Sequence, residues 1–250
     1  MSRELSKESM GFLHQLKLYL MSDGKNEHEI EGIIEELSDH LQMAESQGKS
    51  VHHIIGQTPK EYMAQIAAEM NYDKKAWIKF IVTIIFGVFS YTILSRSVEG
   101  NLSFSLINAA GLTAIVAFLI WAVFFMFKYI AANNPSKAKE YLLFFLFSLV
   151  SFALFIALIL IDQRVESPTI SFNGPGTIII SIITFAFLLW ISIWSKTWTV
   201  LIFLSFLIVP DIVLKQTSMD INTQISLSTT ITLGGIAVYL FVVNKKNKAT

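Results

Sequence analysis

The stretch NEHEIEGIIEELSDHLQMAESQG, residues 26–48, decides how the first third of the chain folds. Asn26 is a capping residue with Glu29 three positions later, a pattern that starts helices, and Gly48 is typical of a helix end. The apolar residues of the stretch recur at helical spacing and share one face: Ile30, Ile33, Ile34, Leu37, Leu41 and Ala44. The stretch therefore predicts an amphipathic helix whose apolar face neighbouring helices must cover.

Further helices are predicted on both sides of this stretch. The segment from Lys7 to Met21 carries an apolar face and is broken by Asp23-Gly24, and a short helical turn follows Ser50. Thr58-Pro59-Lys60-Glu61 supplies a capping residue, a proline at the first helical position and an acid at the third. A bundle this small is marginal alone, so we expect it to gain stability from tethering or a partner. Its predicted core includes Leu16, Leu37, Leu41, Tyr62 and Ile66.

The chain after Trp77 has the composition of a membrane protein. The whole chain is 53% hydrophobic and 15% charged, whereas ordinary soluble domains carry about 25% charged residues. The fourth and fifth apolar segments are separated by only Ser195-Lys196-Thr197, which predicts a tight hairpin. Six segments are about long enough to cross a ~30 Å hydrocarbon core: Trp77–Leu94, Phe104–Ile130, Tyr141–Ile161, Thr177–Trp194, Trp198–Leu214 and Ile225–Val243.

The basic residues predict the orientation of these spans. If the N-terminal bundle is cytoplasmic, ten basic residues fall on the inner side and three on the outer side, which is the positive-inside pattern. We therefore expect a multi-pass protein of the cell membrane with both termini in the cytoplasm. The inner set is Lys74, Lys75, Lys79, Lys128, Lys137, Lys139, Lys196, Lys245, Lys246 and Lys248, and the outer set is Arg96, Arg164 and Lys215.

Charge and cysteine content exclude several functions. Residues 1–75 hold 13 Asp/Glu against 8 Lys/Arg, a net of −5, and the remainder holds 6 against 11, a net of +5. An acidic N-terminal bundle argues against nucleic-acid binding, which needs clustered Lys and Arg to contact phosphates. The chain has no cysteine, so disulfides, thiolate catalysis and cysteine-based metal sites are excluded.

Asp211 is the most deeply placed acid in the predicted spans. It follows Pro210 near the outer end of the fifth span, and acids inside membranes are candidates for function because burying a charge is costly. Lys215 lies one turn later and offers an interfacial ion pair as the alternative. Asp211 is therefore a possible functional acid, with transport or gating weighed against simple pairing.

Small residues in two spans predict close helix packing. Asn108 stands near Gly111 in the second span, and Gly234 and Gly235 lie in the last span. Small residues let helix backbones approach closely, and an amide hydrogen-bonds across the contact. Packing is the favoured interpretation of these four positions, and contact with a substrate is the alternative.

The sequence offers no catalytic constellation. His40 follows Glu36 by one helical turn, but no second such pair supports a metal site, so an exposed helix face is the favoured interpretation. HExxH, Walker and GxSxG patterns are missing from the sequence. We therefore expect a protein that is not an enzyme, with no catalytic, cofactor-binding or metal-binding residues.

Three ordered segments carry a family resemblance. FLHQLKLYL (residues 12–20), IIEELSDHLQMAESQGKS (33–50) and IIGQTPKEYMAQIA (54–67) together resemble the HAAS-type helical signalling domain of bacterial membrane proteins. The resemblance covers about residues 5–72 and implies a cytoplasmic adaptor or sensory domain followed by several membrane spans. It implies no catalytic residues. The matching positions include Leu16, Leu20, Glu36, His40, Ala44, Gly48 and the segment from Gly56 to Tyr62.

These observations predict an all-α protein with two domains. Residues 1–75 form a small cytoplasmic helical bundle, and residues 76–250 form a transmembrane domain of six helices. The predicted function is signalling or regulation of a partner, with the lipid bilayer and an unidentified cytoplasmic or membrane protein as partners. The alternative is a permease subunit of a transporter whose ATPase is a separate chain, although sparse polar residues in the spans weigh against a polar-solute pathway.

Overall fold

The computed structural model describes residues 5–51, 55, 58–98, 101–195 and 198–247. Gly56, Lys196, Thr197 and Lys248, which enter the predictions above, lie outside these residues. Within them the chain forms nine helices and two short strands. In chain order these are α1 (Lys7–Ser22), α2 (Glu27–Ser46), α3 (Pro59–Glu69), α4 (Lys74–Val98), β1 (Asn101–Ser105), α5 (Leu106–Asn133), α6 (Lys137–Arg164), β2 (Thr169–Asn173), α7 (Pro175–Ser195), α8 (Thr199–Lys215) and α9 (Ile221–Asn247).

The chain divides into two compact units. The first contains Met1–Val82 with Ala110–Val165, and the second contains Thr83–Ala109 with Glu166–Thr250. Helices α4 and α5 therefore contribute residues to both units. The predicted domain boundary between residues 75 and 76 stays a prediction.

Helices α1, α2 and α3 begin and end where local sequence signals place them. The Asn26 side chain accepts hydrogen bonds from the backbone N–H groups of His28 and Glu29, at 3.0 and 3.2 Å, and starts α2. Thr58 and Glu61 form a capping box at the start of α3. Gly24 and Gly48 follow α1 and α2 with φ of +76° each, a left-handed conformation that closes both helix ends and favours glycine.

The apolar faces of α1, α2 and α3 form one core, which we call the head core. The predicted core residues Leu16, Leu37 and Leu41 are buried there, and Tyr62 and Ile66 pack against it partly buried. Val51 and Ile55, both with helical backbone, belong to the same core. The head core also contains Ala131, with Ala132 packed against it, both from the last turns of α5. The membrane-type helix α5 thus completes the core of the helical head, residues 5–72.

Five helices are long and apolar enough to cross a bilayer: Lys74–Ser97, Leu106–Asn133, Lys137–Arg164, Pro175–Trp194 and Ile221–Lys245. Helix α8, which corresponds to the predicted fifth of six spans, has 17 residues. At 1.5 Å per residue this helix is about 26 Å long, a little short of a ~30 Å hydrocarbon core. Five candidate spans are therefore found among the described residues, and the sixth stays a prediction.

One prediction at the start of the second span was wrong. Phe104 lies in strand β1 rather than in a helix, and α5 begins only at Leu106. Strand β1 pairs antiparallel with β2, with Leu102 opposite Phe172 and Phe104 opposite Ile170. Alternating apolar side chains occupy facing positions across this pair, which favours a strand over a helix for these short segments. Over the described residues the fold is thus helical with one small two-stranded sheet, which lies in the second unit.

Candidate functional site

Asp73 joins the helical head to the first membrane-type helix. One carboxylate oxygen accepts a hydrogen bond from the Asn26 side chain at 2.7 Å, and the other accepts one from the backbone N–H of Ala76 at 3.0 Å. The backbone N–H of Asp73 donates to the carbonyl oxygen of Gly24 at 3.0 Å. Asp73 therefore caps the start of α4 while holding the beginning of α2, so both helices share one anchor.

The ionised carboxylate of Asp73 is favoured by these contacts. The hydrogen bond from the Ala76 backbone N–H, helped by the one from Asn26, lowers the pKa of Asp73 below its usual value. Burial opposes this shift and a positive charge on Lys75 reinforces it. The anchor is therefore negatively charged at neutral pH.

Lys25 fastens the segment between α3 and α4 to the head. Its ammonium donates to the carbonyl oxygen of Met70 at 3.0 Å and lies 5.3 Å from the centre of the Tyr72 ring. The same ammonium lies 3.5 Å from a carboxylate oxygen of Asp23, and only 8% of the Lys25 side chain is exposed. The connecting segment is thus held by side-chain contacts rather than left as a free linker.

A lysine of α5 makes a second contact with the head. Lys128 forms an ion pair with Asp23, and its ammonium lies 5.1 Å from the centre of the Tyr19 ring. The Asp23 side chain is 20% exposed, so the pair is partly shielded from water and stronger than a fully exposed one. Asp23 therefore binds one cation from the head, Lys25, and one from the apolar helix α5.

Three aromatic rings line the same region, and we call them the aromatic wall: Trp77 and Phe80 of α4 and Phe124 of α5. The Trp77 and Phe124 ring centres are 4.4 Å apart, and those of Phe80 and Phe124 are 5.6 Å apart. A cavity of about 630 Å³ lies between this wall and the first turns of α2. We call the contacts of Asp73, Lys25, Lys128 and the aromatic wall the head junction.

Asp211, the acid singled out from the sequence, lies in a different setting. Its carboxylate accepts a hydrogen bond at 2.8 Å from the Ser228 hydroxyl of α9. One turn further along α9, the Thr232 hydroxyl donates to the carbonyl oxygen of Phe206 at 2.7 Å. Pro210 has no N–H to bond that carbonyl, which lies four residues before it, so Thr232 replaces the missing helix hydrogen bond. Asp211 thus belongs to a polar contact that packs α8 against α9.

The predicted packing positions differ in their surroundings. A methyl group at Gly111 would lie 2.3 Å from Leu158, and one at Gly235 would lie 2.5 Å from the Phe206 ring, so both positions are closely approached. Gly234 has nothing within 4 Å of such a group. The backbone N–H of Asn108 donates to the Ser105 hydroxyl at 3.2 Å, near the start of α5. These four positions stay candidates for packing, with close helix contact seen at Gly111 and Gly235.

The second unit also contains an apolar cavity of about 330 Å³. Leucine, isoleucine and phenylalanine side chains form most of its lining, and the polar groups among them are the serines Ser97, Ser181 and Ser205. Asp211 is not among the lining residues. The described residues of the lining therefore offer hydroxyls but no charge to a ligand.

The remaining sequence candidate for metal binding is an exposed pair. His40 Nε2 lies 3.7 Å from a carboxylate oxygen of Glu36, with 58% and 75% of the two side chains exposed. Among the described residues, no group of three or more His, Asp and Glu side chains is placed to hold a metal ion. A third ligand for His40 and Glu36 is therefore not provided by the described part of the chain.

Sequence reasoning missed the residues of α5 that meet the head. Lys128 was assigned to the inner basic set by its charge alone, and its ion pair spans 105 positions along the chain. Trp77 was taken only as the start of a span. One signal was present, because Lys128 follows an apolar run of more than twenty residues in α5 and an ammonium at such a helix end needs either water or an acid.

These features define a membrane protein in which a helical head is fastened to apolar helices long enough to span a bilayer. Comparison with protein families is more specific: residues 86–209 match the family described as the HAAS transmembrane region. Over these residues the chain is similar to a HAAS-type transmembrane region, which together with the five apolar helices supports a membrane protein. The matched segment lies outside the head, so the resemblance of residues 5–72 to a HAAS-type domain stays a prediction. No curated protein and no solved structure matches the chain.

Proposed function

We propose that this protein is a regulatory or accessory membrane protein in which the head docks a protein partner and the spans anchor it and receive a signal. The observation that carries the proposal is the anchor at Asp73, where one carboxylate holds both α2 and α4. A displacement of α4 along or about its axis has to move the beginning of α2 or break these bonds. A flexible linker would lose this displacement, whereas the fastened segment passes it on.

The proposed head is cytoplasmic, with both termini on the same side. The positive-inside distribution of lysine and arginine supports this orientation. The exposed acidic side chains of α2, which include Glu35 and Glu36, favour a partner with a complementary basic surface, because opposite potentials steer and orient association. The match to the HAAS transmembrane region supports a role within the membrane. Co-purification from native membranes would identify the partner.

The rival proposal is a permease subunit working with a separate ATPase, and Asp211 is the residue that favours it. An acid within an apolar membrane helix commonly marks a transport pathway. Against this, the carboxylate is hydrogen-bonded to Ser228 within a helix contact, and the nearby apolar cavity carries no charge in its lining. The regulatory proposal therefore assigns Asp211 to packing.

A flexible Gly/Ser insertion directly after Asp73 tests the proposal. The readout is amide hydrogen exchange of the head in the full chain, compared between detergent and lipid nanodiscs, together with recovery of cross-linked partners from native membranes. In the intact chain, we expect the change of environment around the spans to alter exchange in α2. The insertion should leave the head folded but abolish this response, because Asp73 no longer caps α4.

The same insertion after Ser218, in the connection between α8 and α9, is the matched control and should preserve the response. Asp211→Ala should preserve it too. If the insertion after Asp73 has no effect on the response while Asp211→Ala stops uptake or export of a solute, the permease proposal replaces the regulatory one.

A further inference from the structure

The cavity at the head junction has one apolar side and one charged side. The aromatic wall of Trp77, Phe80 and Phe124 belongs to the apolar helices, and the opposite lining comes from the connection after α1 and the first turns of α2. Its volume of about 630 Å³ is in the range of small-molecule sites in proteins. A ligand that fits both sides has to combine an apolar part with a polar or charged group.

The aromatic wall combines three rings at different orientations. Phe80 meets Phe124 edge to face at 80°, and Trp77 is tilted by 56° to Phe124, so ring faces are turned in different directions. Ring faces carry negative partial charge and attract ammonium groups, most strongly in tryptophan. Aromatic clusters of this kind are used in proteins to bind alkylated ammonium ions.

The charged side of the cavity is negative, which also favours a cation. The carboxylates of Glu27, Glu31 and Asp73 line it, and the hydrogen bonds from Ala76 and Asn26 keep Asp73 ionised. Among the described residues Lys25 is the lysine in the lining, and its ammonium is already engaged by Met70, Asp23 and Tyr72. Glu31 also lies 3.8 Å from the ammonium of Lys17, in an exposed pair. His28 completes the ionisable groups of the lining. Lys74 and Lys75 follow Asp73 in the chain and are exposed, but they do not line the cavity.

The position of the cavity along the chain adds a third constraint. Trp77 and Phe80 lie in the first turns of the first candidate span, at the level where tryptophan commonly meets the lipid headgroups. Phe80 keeps 43% of its surface exposed, so the apolar wall continues onto the outside of α4. A ligand reaching the cavity from the bilayer therefore has an apolar path for its hydrocarbon chain.

We propose that this cavity binds an amphiphilic ammonium ion, with the ammonium between the aromatic wall and the carboxylates of Glu27, Glu31 and Asp73 and the alkyl chain along Phe80. Two sources supply this chemistry, namely the ammonium headgroup of a bilayer lipid such as phosphatidylethanolamine and a free alkylammonium amphiphile. The inference concerns binding alone and does not rest on the proposed regulatory function.

The test uses tryptophan fluorescence of the full-length protein in nanodiscs. The chain has five tryptophans, and replacing four by phenylalanine leaves Trp77 as the reporter. Titration with a brominated alkyltrimethylammonium should quench Trp77 with saturation. Matched alkyl sulfate and alcohol quenchers, which share the chain length, should not saturate. A second protein retaining only Trp121, which is 62% exposed in α5 and does not line the cavity, reports simple partitioning into the bilayer.

The double variant Glu27→Gln/Glu31→Gln removes two exposed carboxylates, and with Glu31 its exposed ion pair to Lys17, without changing the core. We expect it to weaken saturable quenching of Trp77 about fivefold, as expected for two exposed charge pairs. The lipid composition of the nanodiscs distinguishes the two sources. If phosphatidylethanolamine competes with the alkylammonium and phosphatidylglycerol does not, the ligand is a lipid. If the two lipids compete equally, the ligand is the free amphiphile. Three results would each overturn the proposal. They are equal quenching of Trp77 and Trp121 without saturation, an unchanged affinity in the double variant, and stronger quenching by the alkyl sulfate.

Discussion

Gly24 provides the sharpest test of the head junction. Its φ of +76° disfavours any residue with a side chain, and a methyl group there would lie 2.1 Å from the indole nitrogen of Trp77. On one side of the indole, movement is restricted by the Phe124 ring, whose centre is 4.4 Å from that of Trp77. Gly48 has the same φ of +76° at the end of α2 with nothing within 4 Å of such a methyl group, so it is a matched control.

The expected magnitudes follow from these two environments. Gly48→Ala should cost roughly 1–2 kcal/mol of head stability, the price of a left-handed conformation for an L residue. Gly24→Ala carries the same strain, and the overlap with Trp77 should add ~1–3 kcal/mol, as other overpacked contacts do. Amide hydrogen exchange of α1 and α2 in the full-length protein in nanodiscs measures both local opening free energies.

A double-mutant cycle decides whether Trp77 is the cause. In a Trp77→Ala background, the overlap is gone, so Gly24→Ala and Gly48→Ala should cost the same. If the two substitutions cost the same in the native background, Trp77 does not pack against Gly24 and the account of the junction is wrong. If Gly24→Ala stays more costly without the indole, strain elsewhere has to explain the difference.

Three further predictions address other parts of the molecule. Thr232→Val should lower the unfolding free energy of the protein in detergent by ~1 kcal/mol, because the carbonyl oxygen of Phe206 loses its hydroxyl partner. Thr229→Val is the control, since the Thr229 hydroxyl bonds a carbonyl of its own helix. Single cysteines at Ser171 and Ser136 should react oppositely with an impermeant thiol reagent in intact cells, with labelling at Ser171 only; labelling at Ser136 would reverse the proposed orientation. The lowered pKa of Asp73 means that its contribution to stability is present above the unfolded pKa of about 3.9 and is lost as the pH falls through the folded value. The thermal stability of the protein should therefore fall on acidification below pH ~4, and Asp73→Asn should flatten this dependence.

The head was predictable because its signals are local. Asn26 and Gly48 mark the ends of α2 through contacts within a few residues, and Leu37 and Leu41 reveal the buried face through helical spacing. The apolar length of the later helices likewise depends only on neighbouring residues. These features need no knowledge of distant parts of the chain, so sequence patterns suffice for them.

The contacts between distant segments were not predictable in the same way. The strand at Phe104 forms because a second alternating segment around Ile170, far along the chain, pairs with it. The partner of Lys128 is an acid more than a hundred residues earlier. Asp211 was compared with Lys215 because the two are neighbours in the sequence, whereas its hydrogen bond goes to Ser228 on the next helix.

The contribution of Ala131 to the head core bears on how the protein is made. Residues of the head leave the ribosome before those of α5, and Ala131 is synthesised 61 residues after Met70, since 131 − 70 = 61. At about 5–20 residues per second, the head waits roughly 3–12 s for the residue that completes its core. During that delay α4 and most of α5 are synthesised, so the head reaches its final packing only in chains whose first two apolar helices have been made.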